Sequence, residues 1–172
     1  GGVVSFIGSG TCTLDLNQAG TSVYLPASQV QQSFTVALGS QAISFTTAVP
    51  APTVNDTYTI GAVASSGLPV IFSVDLNSTG VCSISGAVVT MLTIGDCLIH
   101  ADQAGDANWN AAPDVTMDFT VAGLAQTVSF INGVAATANV NTTLTASAIA
   151  TSGLGVAYTI DPTTTTNCSV DG

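Results

Sequence analysis

The side chains in this sequence able to do chemistry are few: four cysteines, one histidine, ten aspartates and a handful of aromatics. The cysteines are Cys12, Cys82, Cys97 and Cys168. None forms a C-x-x-C pair and none has a second ligand set at zinc spacing, so neither a zinc site nor a redox dithiol is indicated. No neighbouring base would hold a reactive thiolate. The spacing instead reads as two disulfides of an exported protein, with buried reduced thiols as the alternative. Cys82 and Cys97 lie 15 apart (97 minus 82). Closing a loop of that size stabilises a domain by about 3 kcal/mol in the chain-entropy account.

His100 sits in the alternating stretch LIHAD and reads as a solvent-facing strand residue, not a catalytic base. The aspartates are scattered and form no D-x-D-x-D-G calcium loop. Asp75, Asp102 and Asp161 read as turn or Asx-cap residues. No cofactor is expected, although linker carboxylates and carbonyls could supply oxygen ligands to an inter-domain calcium ion. Trp109 and Tyr24 lie in long loops, where such rings either stack on sugars or fold over the end of a sandwich. Sequons at Asn55, Asn77, Asn141 and Asn167 are candidate glycosylation sites. With no paired acids, triad, metal cluster or phosphate loop, the chain is not expected to be an enzyme.

Composition narrows the partners. The 172 residues contain no Lys and no Arg, and the net charge is −10. Phosphate neutralisation needs cations, so nucleic-acid binding is excluded. Anionic membrane surfaces would repel the chain, and no apolar run reaches the length that spans a bilayer. There is no charged-then-apolar leader, and any signal peptide is expected to be already removed or to lie outside this segment. An extracellular location follows as the expectation from the cysteines.

The elements that must position these residues form a repeat. QAISF at Gln41–Phe45 recurs as QTVSF at Gln126–Phe130, a spacing of 85 (126 minus 41). SSGLPVIFSVD at Ser65–Asp75 recurs as TSGLGVAYTID at Thr151–Asp161, and Cys82 as Cys168, a spacing of 86. One residue of slippage in the loop Asn139–Thr143 accounts for the difference. The remainder of that second copy stands at the N-terminus: Cys12 matches Cys97, NQAG at Asn17–Gly20 matches DQAG at Asp102–Gly105, Tyr24 matches Trp109, and SFTV at Ser33–Val36 matches DFTV at Asp118–Val121. Three segments result: 1–40, the C-terminal part of a repeat; 41–125, a complete repeat; and 126–172, the N-terminal part of a repeat. Within the complete repeat, strands are expected at 42–46, 57–63, 69–75, 81–85, 88–94, 97–102 and 115–121, divided by Gly and Pro turns. Seven short strands in such a length are the pattern of an all-β immunoglobulin-like sandwich. A propeller blade would need about four strands and half the length.

The motifs SSGLPVIFSVD, CSISG, GDCLIHADQAG, ANWNAAPDV and FTV, in this order, resemble the bacterial Ig-like tandem repeats of large exported surface and filament proteins. The resemblance covers the whole chain once it is read tail to head. It departs in the second copy at Tyr24 for Trp109, at Pro26–Ser28 for Ala111–Pro113 and at Gly155 for Pro69. It implies a structural repeat unit of an extracellular filament, stalk or surface fibre, whose partners are head-to-tail copies of itself or adjacent repeats. An adhesin repeat that binds glycan or a surface protein through Trp109 is the alternative. The break falls at Val-Asp-Gly and Gly-Gly-Val, good turn chemistry. Either the segment is a window on a longer repeat protein, or residues 126–172 are completed by residues 1–40 of the next copy. Closure within one chain is the third arrangement. Accordingly, a Cys12–Cys168 bond lies either within one chain or between copies.

Overall fold

Val-, Ile- and Thr-rich segments become strands throughout, and the one helical element among the described residues is a single 3-10 turn, Leu76–Ser78. The computed structural model describes residues 2–48, 51–133 and 137–170. Pro50 and the Asp171–Gly172 and Gly1 turn residues lie outside them. The chain divides into two units, Gly1–Gly123 and Leu124–Gly172.

In the first unit, β1 (Gly10–Leu16) and β2 (Val30–Val36) form an antiparallel hairpin across a long loop. β3 (Ile43–Phe45), β4 (Thr57–Thr59) and β5 (Ala62–Ala64) follow, then β6 (Ile71–Val74), β7 (Cys82–Ser85), β8 (Val88–Met91), β9 (Gly95–Asp102) and β10 (Val115–Val121). β8 pairs with β4 on one side and β7 on the other, β3 pairs with β5, and β9 lies between β10 and β6, all antiparallel. The Pro52–Val54 stretch also runs parallel to the end of β10, with Ala122 N–H donating to Pro52 O and Val54 N–H to Ala122 O.

The run expected as one strand over 57–63 is two, β4 and β5, interrupted at Ile60 and Gly61. Ile60 N–H still donates to Ala87 O beside β8, whereas Gly61 O already accepts from Thr46 N–H beside β3. The chain changes partner at this point and so ties both pairings into one layer. Gly61 is required there, because a Cβ would stand 2.7 Å from Thr46 Oγ1.

The second layer is β10-β9-β6. Ile60, Cys82, Val89 and Met91 from the first layer meet Cys97, Ile99 and Val121 from the second in one buried core. A smaller cluster, Ile43, Ala64 and Ala101, continues it toward one end, where Phe45 stacks on Phe72 with ring centroids 6.2 Å apart. The result is an all-β, sandwich-like arrangement of small antiparallel sheets. Alternation along β9 sends Cys97, Ile99 and Ala101 inward and leaves Leu98 and His100 half-buried on the outer face.

The second unit has β11 (Val128–Phe130) paired antiparallel with β12 (Ala148–Ala150). Its remaining described residues are turns and irregular backbone, including a turn in which Asp161 Oδ1 accepts from Thr163 N–H at 2.9 Å.

Candidate functional site

Cys82 and Cys97 are bonded, with Cα atoms 5.9 Å apart, and both are fully buried. The bond joins β7 to β9 and therefore staples one layer to the other. Cys12 and Cys168 are free thiols, the first half-buried and the second exposed. Cys12 faces Phe34 on the neighbouring strand of its hairpin, the register Cys97 holds against Phe119.

Local geometry recurs with the sequence spacing. Eight of the nine left-handed residues come in matched pairs: Gly10 (φ 127°) with Gly95 (143°), Gly20 (76°) with Gly105 (79°), Gly67 (78°) with Gly153 (74°), and Asn55 (73°) with Asn141 (65°), Gly86 being the ninth among the described residues. For the two asparagines the conformation is one their short polar side chains tolerate. Capping bonds recur as well: Asp75 Oδ1 accepts from Asn77 N–H as Asp161 Oδ1 does from Thr163 N–H.

Gln41, Gln103 and Ser78 are the buried polar residues among those described, and the two glutamines meet. Gln41 is buried; its Nε2 donates to Gln103 Oε1 at 2.5 Å and to Asn110 O at 2.7 Å, while its Oε1 accepts from Ser66 Oγ. Gln103 Oε1 also accepts from Gly105 N–H. No buried side-chain polar atom of this clasp lacks a partner, as burial demands. In the repeated copy two of these bonds recur, one in each of two separate pieces. Ser152 Oγ donates to Gln126 Oε1 in one, and Gly20 N–H donates to Gln18 Oε1 in the other.

Trp109 lies half-buried over the backbone of Gly39. Gly39 N–H donates to Asn108 O, Asn110 N–H donates to Gly39 O, and a Cβ on Gly39 would stand 2.8 Å from two ring carbons of Trp109. The loop carrying Trp109 thus grips the link between residues 2–38 and the strand that opens at Ile43. Tyr24 holds the corresponding loop position, where Thr21 N–H donates to Tyr24 O as Asp106 N–H does to Trp109 O. Tyr24 is 73% exposed, and Leu124, the counterpart of Gly39, is 62% exposed.

The apolar positions divide in the same way. Ile43 is 5% exposed but its counterpart Val128 is 60% exposed; Met91 is 1% exposed but its counterpart Phe6 is 60% exposed. The alternating Val4 and Phe6 read as strand-like, yet no partner strand lies beside them among the described residues. Their counterparts in β8 are held between β4 and β7.

His100 is gripped from two sides: its Nδ1 is 2.9 Å from Asp114 Oδ2 and its Nε2 3.4 Å from Asp75 Oδ2. Asp114 foremost, and then Asp75, hold its pKa above the ordinary 6.5. The carboxyl of Asp75 is held below 3.8, chiefly by the Asn77 N–H and then by His100. Among the described residues no group of three or more His, Cys or Asp side chains is placed to hold a metal. Asn55, Asn77, Asn141 and Asn167 are all exposed. Sequence reasoning missed the glutamine clasp and the grip on Gly39. The recurrence of Gln41 as Gln126 and of Gln103 as Gln18 was the available signal for the first.

The chain matches no protein-family model, no curated protein and no solved structure.

Proposed function

We propose that this chain is a structural repeat unit of an extracellular filament, stalk or surface fibre built from immunoglobulin-like sandwiches set head to tail. The layer order supports the immunoglobulin-like reading. β3, the β4–β5 run, β8 and β7 follow the A, B, E, D order, and β6, β9 and β10 the C, F, G order, of a constant-type domain. The single observation that carries the fibre reading is the divided copy. Residues 2–38, 126–133 and 137–170 repeat left-handed turns and caps of the intact sandwich, yet leave exposed Val128 and Phe6, the counterparts of its buried Ile43 and Met91. A head-to-tail contact of this kind propagates into a fibre wherever it does not close a ring.

The disulfide and the absence of cationic side chains accord with an extracellular rod that binds neither nucleic acid nor membrane. The grip of Trp109 on Gly39 favours the structural reading over an adhesin, since the ring already has an intramolecular partner. Electron microscopy of the native material tests this: unbranched rods with an axial repeat of one or two domains are expected. Dispersed globular particles would defeat the proposal. A glycan-array signal lost in Trp109→Ala at unchanged stability would establish the adhesin function instead.

A further inference from the structure

Three pairs of contacts hold the intact sandwich together over long sequence distances: Cys82 with Cys97, Gln41 with Gln103, and Gly39 with Trp109. The repeat spacing turns these into Cys168 with Cys12, Gln126 with Gln18, and Leu124 with Tyr24. In each derived pair one member lies in residues 124–170 and the other in residues 2–40. We propose that residues 2–40 of one copy of this unit cover residues 124–170 of the neighbouring copy in the register of the intact sandwich, and that a Cys12–Cys168 disulfide then joins the two. This rests on the structural reading above and adds the partner, the register and the covalent bond.

The chemistry of the pieces favours this occupant over any other. The exposed positions Val128 and Phe130 on one piece, and Phe6 on the other, are the counterparts of Ile43, Phe45 and Met91; Ile43 and Met91 lie in adjoining core clusters, and Phe45 packs against both. Gln126 Oε1 is already occupied by Ser152, and Gln18 Oε1 by Gly20, just as in the finished clasp. What the divided clasp lacks are the bonds from the Gln126 amide nitrogen to Gln18 Oε1 and to Leu25 O, the counterparts of the 2.5 Å and 2.7 Å bonds from Gln41 to Gln103 and Asn110.

The third pair discriminates among registers by size. Opposite Trp109 the backbone carries glycine, and a Cβ there would meet the indole ring at 2.8 Å. Opposite Tyr24, in the proposed register, stands Leu124. The smaller phenol ring leaves the space that a leucine side chain fills. Large with small at one junction and medium with medium at the other is the exchange expected of two faces in contact.

Forming the bond removes a proton from each thiol and two electrons from the pair. A small disulfide oxidant such as oxidised glutathione accepts both and leaves as two thiols. Cys82 and Cys97 pair with each other in the folded sandwich and are fully buried there, so they take no part.

The test mixes the full chain prepared in light and in nitrogen-15 form, reduced and unfolded together, then refolded with oxidised and reduced glutathione. Digestion with an aspartate-directed protease and mass spectrometry then reads the linked peptides. The expected result is a Cys12–Cys168 peptide whose light–heavy hybrids are as abundant as the matched pairs together. Linked peptides of matched isotope only would mean closure within one chain and would overturn the proposal, as would Cys12 and Cys168 left unlinked to each other. For the register, Tyr24→Trp should raise the concentration at which copies associate by about ten-fold, through the clash with Leu124. Combining Tyr24→Trp with Leu124→Gly recreates the pair at 109 and 39 and should restore association. Failure of the double variant to recover would overturn the register. Rods that form with Cys12 and Cys168 unlinked would spare the fibre reading and sink this proposal. Hybrid-linked copies that close into rings would uphold the interface and sink the fibre.

Discussion

Met91 lies in β8 among Ile60, Val89, Ile99 and the Cys82–Cys97 sulfurs, all fully or almost fully buried. Truncating a buried methionine to alanine costs about 2–5 kcal/mol, the lost transfer energy plus the cavity left behind. Here the walls of the hole are pinned by the disulfide and by strand pairing on both sides of β8, so relaxation is limited and about 3–4 kcal/mol is expected. Trp109 is the sole tryptophan and stands in the same unit, so its fluorescence follows unfolding of that unit in urea. With a slope of about 1–1.5 kcal/mol per molar urea, the midpoint of Met91→Ala falls by about 2–4 M. Phe6 holds the matching position in the divided copy but is exposed, with Phe34 edge-on at 5.4 Å. In the unassembled chain Phe6→Ala therefore loses about 0.5–1.5 kcal/mol, and the midpoint moves by about 1.5 M or less. Equal shifts for the two variants in a monomeric sample would refute the reasoning, because packing around residues 2–38 would then be complete without a neighbour.

Replacing both Cys82 and Cys97 by alanine should lower the unfolding free energy by about 3 kcal/mol; an unchanged urea midpoint in this variant would contradict the account. His100, with its pKa raised by Asp114 and Asp75, contributes stability that is fully present below 6.5 and is lost as pH rises through the folded value. Thermal unfolding followed from below pH 6.5 upward should show that decline, and His100→Asn should abolish it. At the acid end Asp56, Asp75 and Asp161, held below 3.8, contribute stability present above that value and lost as pH falls through their folded values. Gly39→Leu should drive the indole of Trp109 off the backbone, seen as a red shift of its emission with the urea midpoint of the sandwich core little changed. Because the chain has no Lys or Arg, trypsin should leave even the unfolded protein uncut.

Strands over 69–75, 81–85, 88–94, 97–102 and 115–121 were legible because Gly and Pro delimit them and their apolar residues alternate. The break in the 57–63 run was not, since the change of partner at Ile60 and Gly61 depends on Thr46 and Ala87, which are distant in sequence. The Cys82–Cys97 bond was legible from its spacing. The clasp at Gln41 was not, because a glutamine at the head of a strand reads as exposed and its partner lies 62 residues away. His100 was legible as an outer-face residue of β9, whereas its two carboxylates come from the end of β6 and the approach to β10 and meet it only in the folded sheet.

Composition by itself determined that the chain is built from strands, and that partners recognised through lysine or arginine are excluded. The repeat spacing determined which residues are equivalent. Equivalent residues adopt matching turns and caps in both copies, because a left-handed glycine or an aspartate cap depends only on its near neighbours. Burial does not follow from equivalence. Ile43 and Met91 are enclosed whereas Val128 and Phe6 are exposed, since a core closes only when strands far apart in sequence are brought together. Only the tertiary structure decided which copy has that closure, and with it which cysteines are bonded and which are free.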